Sequence, residues 1–515
     1  MIEGKKRVLI LGAGIMQGPA IRRARKMGLE TVVIDADPQA PLAAEADRFE
    51  PIDLKDIHRI EELAWRLKTE GGLDGIITAG TDFSASVAWV AERLGLPGIP
   101  YQTALDASDK ERMRRRFKEA GLPSPAFTIF TAPPGGGSSP AGALPFPYPV
   151  VVKPVDNMGA RGCRRVDNPA ELEEAVGAAL VFSRSRRVIV EEYMEGPEFS
   201  VDAVVYQGKI TICGLADRHI FFPPYFIEMG HTMPTNIPQK DQDALIGLFI
   251  RGVRALGIDN GAAKGDIKLS PRGPMIGEIA ARLSGGYMSG WTYPYASGVD
   301  PAGGALRAAL GLPPEGLEIT RTWTSAERAF ISIPGAVRSI EGLERARNTP
   351  GVKDLFLRAA PGGRVSFPEN NVSKAGNIIS AAPDRESAVR AAEDAARAVL
   401  IRLAAPDRET EAFLAGPPGP GASAFPPPAY ALDAGLAARL ERAADPFAAF
   451  MDFPCRDYLG RTPGEGLEAA LKLTGLIPGT GEFRDLTAGP GFLRALIRGG
   501  YQGAAYHIDR ARGGG

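Results

Sequence analysis

Cysteine, net charge and long apolar runs are all scarce in this chain of 515 residues, and each scarcity excludes a class of protein. Its three cysteines, Cys163, Cys213 and Cys455, are too few and too scattered for a disulfide framework or a metal-binding pair. A net charge of -1 provides no basic field for nucleic acid or an anionic membrane. No apolar run could span a bilayer, and the first residues do not resemble a cleavable signal. We therefore expect a cytoplasmic protein whose partners include neither nucleic acid nor membrane.

The remaining composition is that of a globular protein, with 44% hydrophobic and 23% charged residues. A chain of this length predicts about three or four folding units rather than a single core. Residues 7–11 form a predicted buried strand that runs into Gly12-Ala13-Gly14 and a helix, and further strands are predicted at 31–34 and 75–78. Strands that alternate with helices in this way predict a parallel, doubly wound α/β domain over residues 1–107.

The first glycine turn has two interpretations. Gly12, Gly14 and Gly18 follow a strand and open a helix, and the next strand ends at Asp35. Such a turn could cradle a dinucleotide whose ribose meets the acid, as in a nicotinamide-dependent oxidoreductase. The spacing is GxGxxxG rather than GxGxxG, and a tight turn between strand and helix needs the same glycines. We take the turn first as a marker of the fold and keep the oxidoreductase as an alternative.

The rest of the chain mixes strands and helices without a repeat. The composition of residues 131–147 predicts a loop. Helices are expected at residues 170–180 and 386–403, and residues 404–430 are rich in Pro, Gly and Ala. These patterns predict mixed α+β units over 108–312 (with a smaller lobe at about 124–193) and 313–404, a linker over 405–430, and a small terminal domain of unknown role over 431–515.

The central region concentrates residues suited to binding phosphate. Lys153 ends a β-rich stretch, and a glycine-rich segment, residues 156–162, follows it. A lysine fixed at a strand end can act as a point charge on a phosphate. Gly159 and Gly162 can turn backbone N–H groups towards anionic oxygens, and Arg161 adds charge at the same place. A solvated loop with a surface lysine is the alternative interpretation.

A second group of residues flanks a glycine turn. Glu191 and Glu192 end a predicted strand, and Met194 and Gly196 lead into another strand that carries Glu198. The backbone and carboxylates of such a hinge could bind an adenine edge and ribose hydroxyls. An edge hairpin with solvated acids is the alternative here.

A third group lies on a predicted hairpin at residues 264–286, whose turn is Pro271-Arg272-Gly273. The hairpin brings Asp266 and Glu278 opposite each other. Two carboxylates that face one cleft repel unless a cation lies between them, and oxygen ligands favour Mg²⁺ bridging to substrate phosphates. Arg282 would lie beside the metal, where it could stabilise charge on a transferring phosphoryl group. A charged surface hairpin is the alternative.

Taken in this order, the three groups resemble the ATP-grasp superfamily. The resemblance implies an α/β and α+β multidomain chain, with a parallel doubly wound pre-ATP-grasp domain followed by a two-lobed ATP-grasp fold. It implies that Asp266 and Glu278 bind the metal and that Arg282 steadies an acyl phosphate. The nucleotide-binding residues that it implies are Lys110, Lys153, Gly159, Arg161, Gly162, Glu191, Glu192, Met194 and Glu198.

Within the superfamily the chain looks most like the L-amino-acid (dipeptide) ligases. That resemblance lies in residues 217–219, in residues 223–234 with their Glu-Met-Gly-His sequence, and in residues 324–403. It implies that Glu228 and His231 face the amino-acid site, together with Gly285 and Gly286. A carboxylate can bind an ammonium group, and an imidazole can orient a nucleophile or carry its proton. A histidine satisfied by the local backbone is the alternative for His231.

The resemblance implies an ATP-dependent carboxylate–amine ligase that forms an amide bond, which includes a peptide bond, through an acyl phosphate. It would release ADP and phosphate, use Mg²⁺ or Mn²⁺, and act on small-molecule carboxylates and amines. The sequence does not decide the oligomeric state, and a homodimer is one of the alternatives. Ala280 stands where many members carry a further asparagine ligand, so one or two metal ions are both compatible. The alternatives are a nucleotide-precursor ligase or carboxylase of the same superfamily, and a non-catalytic ATP-binding module.

Overall fold

The computed structural model describes residues 6–132, 144–416, 438–440, 442–452 and 456–513. Most of the predicted loop at 131–147, most of the predicted linker at 405–430 and Cys455 lie outside these residues. In the described part of the chain, no helix is both long enough and apolar enough to cross a membrane.

The N-terminal domain is the predicted parallel α/β layer. Its strands are β1 (Arg7–Leu11), β2 (Glu30–Asp35), β3 (Arg48–Pro51) and β4 (Gly75–Thr78), in the order β3-β2-β1-β4. Successive residues of β1 enter two different core clusters, Val8 and Ile10 in one and Leu9 and Leu11 in the other. Both faces of the sheet are therefore covered, which is typical of a parallel sheet. The covering helices are Gly18–Lys26, Ile57–Glu70 and Ser84–Leu94, and short 3₁₀ turns lie at Ile15–Gln17 and Ala43–Glu45.

A small antiparallel sheet follows after helices Tyr101–Ser108 and Lys110–Glu119. It contains β5 (Phe127–Thr131), β6 (Val150–Pro154), β7 (Arg164–Val166) and β8 (Arg187–Glu192), in the order β5-β8-β6-β7. The helix predicted at 170–180 spans Leu172–Phe182, because a 3₁₀ turn at Pro169–Glu171 precedes it. It packs on the apolar face of this sheet.

The large sheet has eight strands and forms the centre of the molecule. Its order is β13-β12-β9-β10-β11-β14-β18-β16, and every pairing within it is antiparallel. The strands are β9 (Glu198–Tyr206), β10 (Lys209–Phe221), β11 (Ile227–Met233), β12 (Gly261–Ser270), β13 (Gly273–Ala280), β14 (Thr324–Phe330), β16 (Val352–Leu357) and β18 (Gly376–Ala382). The accompanying helices are Gln239–Leu256, Met288–Thr292 (a π-helix), Tyr293–Ser297, Pro301–Ala309, Leu343–Arg347 and Arg385–Ala398.

The helix predicted at 386–403 was placed wrongly at its C-terminal end. It ends at Ala398, and β19 (Leu400–Leu403) pairs with β15 (Gly335–Glu341), which also pairs with β17 (Arg364–Val365). Val399 adopts an extended conformation, and Ile401 and Leu403 then alternate into the core of the C-terminal lobe. Burial of these two side chains favours the strand over a further helical turn.

The last described residues are helical, in segments Arg408–Ala415, Pro446–Met451, Pro463–Thr474, Gly481–Thr487 and Pro490–Ala511. They share a core with the preceding lobe, since Leu459, Ala495 and Tyr506 belong to the same apolar cluster as β14 and β18. The buried Gln502 side chain accepts a hydrogen bond from the backbone N–H of Ile333 (3.1 Å). The C-terminal helices therefore belong to the structure of the lobe beneath them.

Candidate functional site

A cavity of about 350 Å³ lies between the small sheet, the large sheet and the N-terminal domain. The structure brings most of the predicted site residues together around it, although they come from widely separated parts of the sequence. The predicted residues that line it are Lys110, Lys153, Gly159, Arg161, Glu191, Glu192, Met194, Glu198, Glu228, Asp266, Glu278, Arg282, Gly285 and Gly286. Gly162 and His231 do not line it.

The predicted hairpin lies at the base of this cavity. Asp266 of β12 pairs directly with Glu278 of β13, as the sequence predicted. Side chains two residues apart on a strand share one face, and Lys264, Asp266 and Lys268 accordingly all line the cavity. The hairpin therefore supplies two carboxylates and two ammonium groups to one small volume.

Cations surround the two carboxylates closely. Nζ of Lys110 lies 3.4 Å from Oε2 of Glu278, and Nη1 of Arg218 lies 3.0 Å from Oδ2 of Asp266, which also contacts Lys264. Burial tends to raise the pKa of Glu278, but the positive field of Lys110 and Lys264 outweighs it and lowers that pKa. Glu278 is thus available as a charged oxygen ligand at neutral pH.

Glu191 serves as a structural anchor for the predicted phosphate-binding lysine. Its side chain is 1% exposed and accepts hydrogen bonds from Nε of Arg114 (2.7 Å) and Nζ of Lys153 (2.6 Å). Burial would raise the pKa of Glu191, but Arg114 and Lys153 outweigh it and lower the pKa to about 2. Because the carboxylate is committed to these partners, it holds Lys153 in place rather than reaching a ligand.

The segment from Arg282 to Gly286 connects the cavity to the N-terminal domain. Nε of Arg282 donates to Asp82 (3.0 Å), and Leu283 forms a backbone bridge with Ala79. Behind the segment, the buried carboxylate of Asp202 accepts hydrogen bonds from the hydroxyl of Ser284 (2.5 Å) and from its N–H (3.2 Å). The guanidinium of Arg282 is therefore fixed at the cavity wall before any ligand binds.

His231 lies behind the cavity wall, contrary to its predicted place facing an amino-acid site. It is fully buried on β11 opposite Glu327 of β14, and its Nδ1 is 2.8 Å from Oε2 of that acid. Its Nε2 is 3.4 Å from Oε2 of Glu228, which does line the cavity. A Cβ added at Gly286 would come within 3.0 Å of the ring, so the glycine backbone covers it. His231 therefore supports Glu228 from behind.

Gly162 also points away from the cavity. Its φ of +69° favours glycine, and a Cβ there would lie 2.9 Å from Cδ2 of Phe182, at the end of the helix that backs the small sheet. Its role in the structure is to let the glycine-rich segment turn closely over that helix.

The first glycine turn is filled by the protein's own side chain. Gly12 has φ +101°, and a Cβ there would lie 2.9 Å from Cδ of Gln17. The side chain of Gln17 accepts from the N–H of Gly14 (3.0 Å) and donates to the carbonyl of Ala79. Asp35 in turn accepts from the N–H of Ala13 (2.9 Å). These contacts occupy the place that a dinucleotide pyrophosphate would need.

Several cavity residues were missed from the sequence. Lys264 and Lys268 were detectable, because they alternate with Asp266 on one strand. Arg218 was not assigned a role, yet it contacts Glu198 and Glu228 as well as Asp266. The other missed charges, Arg358 and Lys374, come from the C-terminal lobe, and no local pattern in the sequence marks them.

Comparison with known families is consistent with this geometry. Residues 21–98 match the ATP-grasp N-terminal domain, residues 146–290 the ATP-grasp domain, and residues 329–404 the L-amino acid ligase C-terminal domain 2. The chain is an ATP-grasp protein. It combines the ATP-grasp domains with an L-amino acid ligase C-terminal domain.

Individual relatives of this ATP-grasp protein include carnosine synthase 1 of Gallus gallus, which is 29% identical over 408 residues. The alignment covers 73% of this chain but only 43% of that relative, so the chain spans less than half of the relative's length. An L-amino acid ligase from Bacillus licheniformis has the same fold, with a TM-score of 0.68 and 22% identity over 78% of this chain and 100% of that one. A phosphoribosylglycinamide synthetase from Anaerococcus prevotii has a similar fold, with a TM-score of 0.61 and 18% identity. The match covers 78% of this chain and 100% of that one.

The ATP-grasp family uses ATP with Mg²⁺, and the cavity has the charge to hold both. Among the residues that line it, nine carry a positive charge and six a negative one, so a polyanion finds an excess of three positive charges. Mg²⁺ is usually held by one or two carboxylates together with substrate phosphates, which is the donor set that Asp266 and Glu278 offer. The described residues contain no group of three or more His, Cys, Asp or Glu side chains that could hold a metal without such help.

Replacing His231 with alanine is expected to destabilise this ATP-grasp protein by about 3–5 kcal/mol, because the buried carboxylates of Glu228 and Glu327 lose a charged partner. Burial disfavours the imidazolium, but the two acids outweigh it and raise the pKa of His231 to about 9. A raised pKa stabilises the fold fully below about pH 6.5, the value in the unfolded chain, and this contribution is lost as pH rises to about 9.

Urea unfolding at pH 6 and pH 9 measures both effects. The wild type should lose stability between these values, and the alanine variant should lose less. His58→Ala, at an exposed position, serves as the control and should stay within about 0.5 kcal/mol of the wild type. An alanine variant at His231 as stable as the wild type at pH 6 would show that the ring is not a charged partner of these acids.

Proposed function

We propose that this ATP-grasp protein is an ATP-dependent carboxylate–amine ligase that joins amino acids. The observation that supports it best is the convergence of Lys110 and Lys153, the carboxylate pair Asp266 and Glu278, and Arg282 on one cavity. Each group answers a need of phosphoryl transfer, which depends on positioning and on stabilising charge rather than on covalent catalysis by the protein.

The nucleotide would lie between the small sheet and the hairpin. Lys110, Lys153 and Arg161 would bind its phosphates, while residues 192–194 at the end of β8 would meet its base. The two hairpin carboxylates would hold Mg²⁺, which neutralises charge on the phosphate oxygens when bound. Glu198 lies between Lys268 and Arg218 on the sheet and would be nearest the ribose.

The reaction has two steps. An oxygen of the substrate carboxylate attacks the γ-phosphorus, the bond from that phosphorus to the bridging oxygen breaks, and ADP leaves. The amine nitrogen of the second substrate then attacks the acyl carbon, the carbon–oxygen bond to phosphate breaks, and the nitrogen loses a proton as the amide forms. Arg282 would stabilise the charge that develops in both steps, because it is already fixed at the cavity wall.

Amino acids are the substrates that the comparisons favour. The C-terminal lobe matches a domain named for L-amino acid ligases. The related protein from Gallus gallus is named carnosine synthase 1. In the cavity, Glu228 keeps a depressed pKa: burial raises it, but His231 and Arg218 outweigh that effect. A permanent carboxylate at this place suits an ammonium group.

Phosphate release measured over a panel of amino acids, singly and in pairs, tests the proposal. At least one pair should release phosphate more than about tenfold faster than either member alone, and mass spectrometry should detect the joined product. ATP binding without release that depends on an amine would instead identify a non-catalytic nucleotide-binding module. Release with bicarbonate or with phosphoribosylamine, but with no amino-acid pair, would identify the carboxylase or the nucleotide-precursor ligase.

A further inference from the structure

The described residues from 438 onwards, here called the C-terminal appendage, lie outside the three family matches, the last of which ends at residue 404. The appendage shares a core with the C-terminal lobe. Within it, a loop between helices Pro446–Met451 and Pro463–Thr474 carries Tyr458. This tyrosine reaches a turn whose other end lines the cavity.

Tyr458 meets the turn that joins β10 to β11, residues 222–226, here called the β10–β11 turn. Its ring packs edge-on against that of Phe222, with centroids 5.5 Å apart and planes at 76°, and lies 6.3 Å from Phe221. Phe367 of the C-terminal lobe packs against the same Phe222 ring at 5.4 Å. Phe222 is 3% exposed, so the lobe and the appendage together enclose it. Edge-on ring pairs at these distances are attractive.

The backbone of Phe222 depends on this enclosure. Its φ is +63°, a left-handed conformation that is unfavourable for a bulky side chain. A residue stays in such a conformation only where its surroundings fix it. The carbonyl of Phe222 accepts a hydrogen bond from the N–H of Tyr225 (3.0 Å), which closes the turn. Loss of the Tyr458 ring would open one side of the enclosure and allow the turn to relax.

The β10–β11 turn in turn contacts the small sheet. The carbonyl of Pro224 accepts a hydrogen bond from the N–H of Arg165 (2.7 Å). Arg165 lies on β7, which is an edge strand and directly follows the glycine-rich segment, residues 156–162. An edge strand has backbone groups available for such a partner. The turn therefore joins the large sheet to the edge of the small sheet, next to the proposed phosphate site.

The last residue of the same turn lies at the cavity itself. Phe226 lines the cavity, and its ring centroid is 6.5 Å from that of Tyr193, which also lines it. Tyr193 belongs to residues 192–194, which would meet the base of the nucleotide. The turn thus places one backbone contact and one aromatic ring on the nucleotide side of the cavity.

We propose that the C-terminal appendage is a positioning element for the nucleotide site, in which Tyr458 holds the β10–β11 turn against the small sheet. The inference rests on the part of the proposed function that puts the nucleotide between the small sheet and the hairpin, but it does not require that amino acids are joined. Tyr458 does not line the cavity, so it acts through Phe222 rather than on a ligand. A small sheet that is already held in place costs less to order when the nucleotide binds.

Calorimetry with Mg²⁺ and a non-hydrolysable ATP analogue tests the inference on the full chain. Tyr458→Ala should weaken binding of the analogue by about tenfold, because the small sheet is no longer held in advance. Tyr458→Phe keeps the ring and should stay within about twofold of the wild type. Tyr458→Leu keeps apolar bulk without a ring and should weaken binding by about threefold, which provides a reading if the alanine variant does not fold.

Phe447→Ala is the matched control. It also removes one ring of an edge-on pair within the appendage, the pair with Phe483 (5.1 Å), and Phe447 does not line the cavity. Its affinity for the analogue should stay within about twofold of the wild type, even where urea unfolding shows a loss of stability similar to that of Tyr458→Ala. Equal weakening in both variants would mean that the appendage acts only through overall stability, and the inference would be wrong.

Hydrogen exchange of the ligand-free protein tests the same contact without a nucleotide. Tyr458→Ala should speed exchange by about tenfold in peptides that contain residues 164–166 and 222–227, and Phe447→Ala should not. Unchanged exchange in those peptides would overturn the inference. If the wild type binds the analogue and Tyr458→Ala binds it equally well, the inference fails and the proposed function stands. If the wild type binds no analogue, the proposed function fails as well.

Discussion

Replacing Arg282 with alanine is expected to lower kcat for ADP formation by at least about 100-fold, the size of effect seen when one preorganised donor to a developing charge is removed. The guanidinium lines the cavity four residues beyond Glu278 and is fixed by Asp82 and by the carbonyl of Leu283 (3.1 Å). Because it is in place before substrates bind, its loss should lower kcat far more than it raises KM for ATP. A coupled assay for ADP, run with the substrate pair that releases phosphate fastest, measures both constants.

The ion pair between Arg282 and Asp82 calls for a matched control, since its loss could disturb the domain interface. Arg23→Ala removes another pair to the N-terminal domain, with Asp300 (2.6 Å), and does so outside the cavity. This control should keep kcat within about twofold and lose little stability, because its ion pair is partly exposed. Arg282→Ala removes one partner of a buried pair and should lose more stability, so an unfolding curve in urea must show that the variant is still folded under the assay conditions. Unchanged turnover in Arg282→Ala would remove the arginine from the proposed mechanism.

The second large effect is expected at the metal site. Glu278→Gln should lower kcat by about 100-fold and raise the Mg²⁺ concentration for half-maximal activity by about tenfold or more, because the amide is a weaker, uncharged ligand. The residue is suited to this test because it pairs with Asp266 across the hairpin and is held by Lys110 rather than by the apolar core. Activity as a function of Mg²⁺ at saturating ATP gives both quantities.

Glu315→Gln provides the matched control for this second test. Glu315 forms an ion pair with Arg307 (2.5 Å), its side chain is 68% exposed, and it does not line the cavity. Its Mg²⁺ dependence should equal that of the wild type. If Glu278→Gln keeps the wild-type Mg²⁺ dependence and only weakens ATP binding, the hairpin acts through Lys110 on the phosphates and the metal lies elsewhere.

Local patterns predicted much of the fold and one face of the site. The turn at Pro271-Arg272-Gly273 marked the hairpin, but a regular register from that turn would set Asp266 opposite Gly277. A β-bulge between Asp266 and Ile267 shifts the pairing by one residue and brings Asp266 opposite Glu278. The first strand was recognisable because its residues are apolar on both faces. By contrast, Leu400–Leu403 continues the apolar spacing of the helix before it, and only its pairing with β15 makes it a strand.

The parts of the site that could not be predicted depend on partners far along the sequence. Histidine is a residue type common in catalytic sites, which is why His231 was predicted to be functional. Glu327, 96 residues later in the chain, lies opposite it on the neighbouring strand and helps to bury it. Similarly, Arg358 and Lys374 reach the cavity only because β16 and β18 pair in a lobe that has no phosphate-binding pattern of its own. Burial and pairing over such distances leave no periodicity within the short windows from which motifs are recognised.

The shared core of the C-terminal lobe and the last helices also limits where the chain can be divided. Tyr506 donates to the carbonyl of Asp407 (3.1 Å), and Asp509 accepts two hydrogen bonds from Arg402 (2.6 and 2.7 Å). A chain shortened before residue 438 would expose an apolar surface and leave Arg402 without its acid. We therefore expect the two parts to unfold together, which makes the Pro/Gly-rich stretch between them a poor choice for a truncation point.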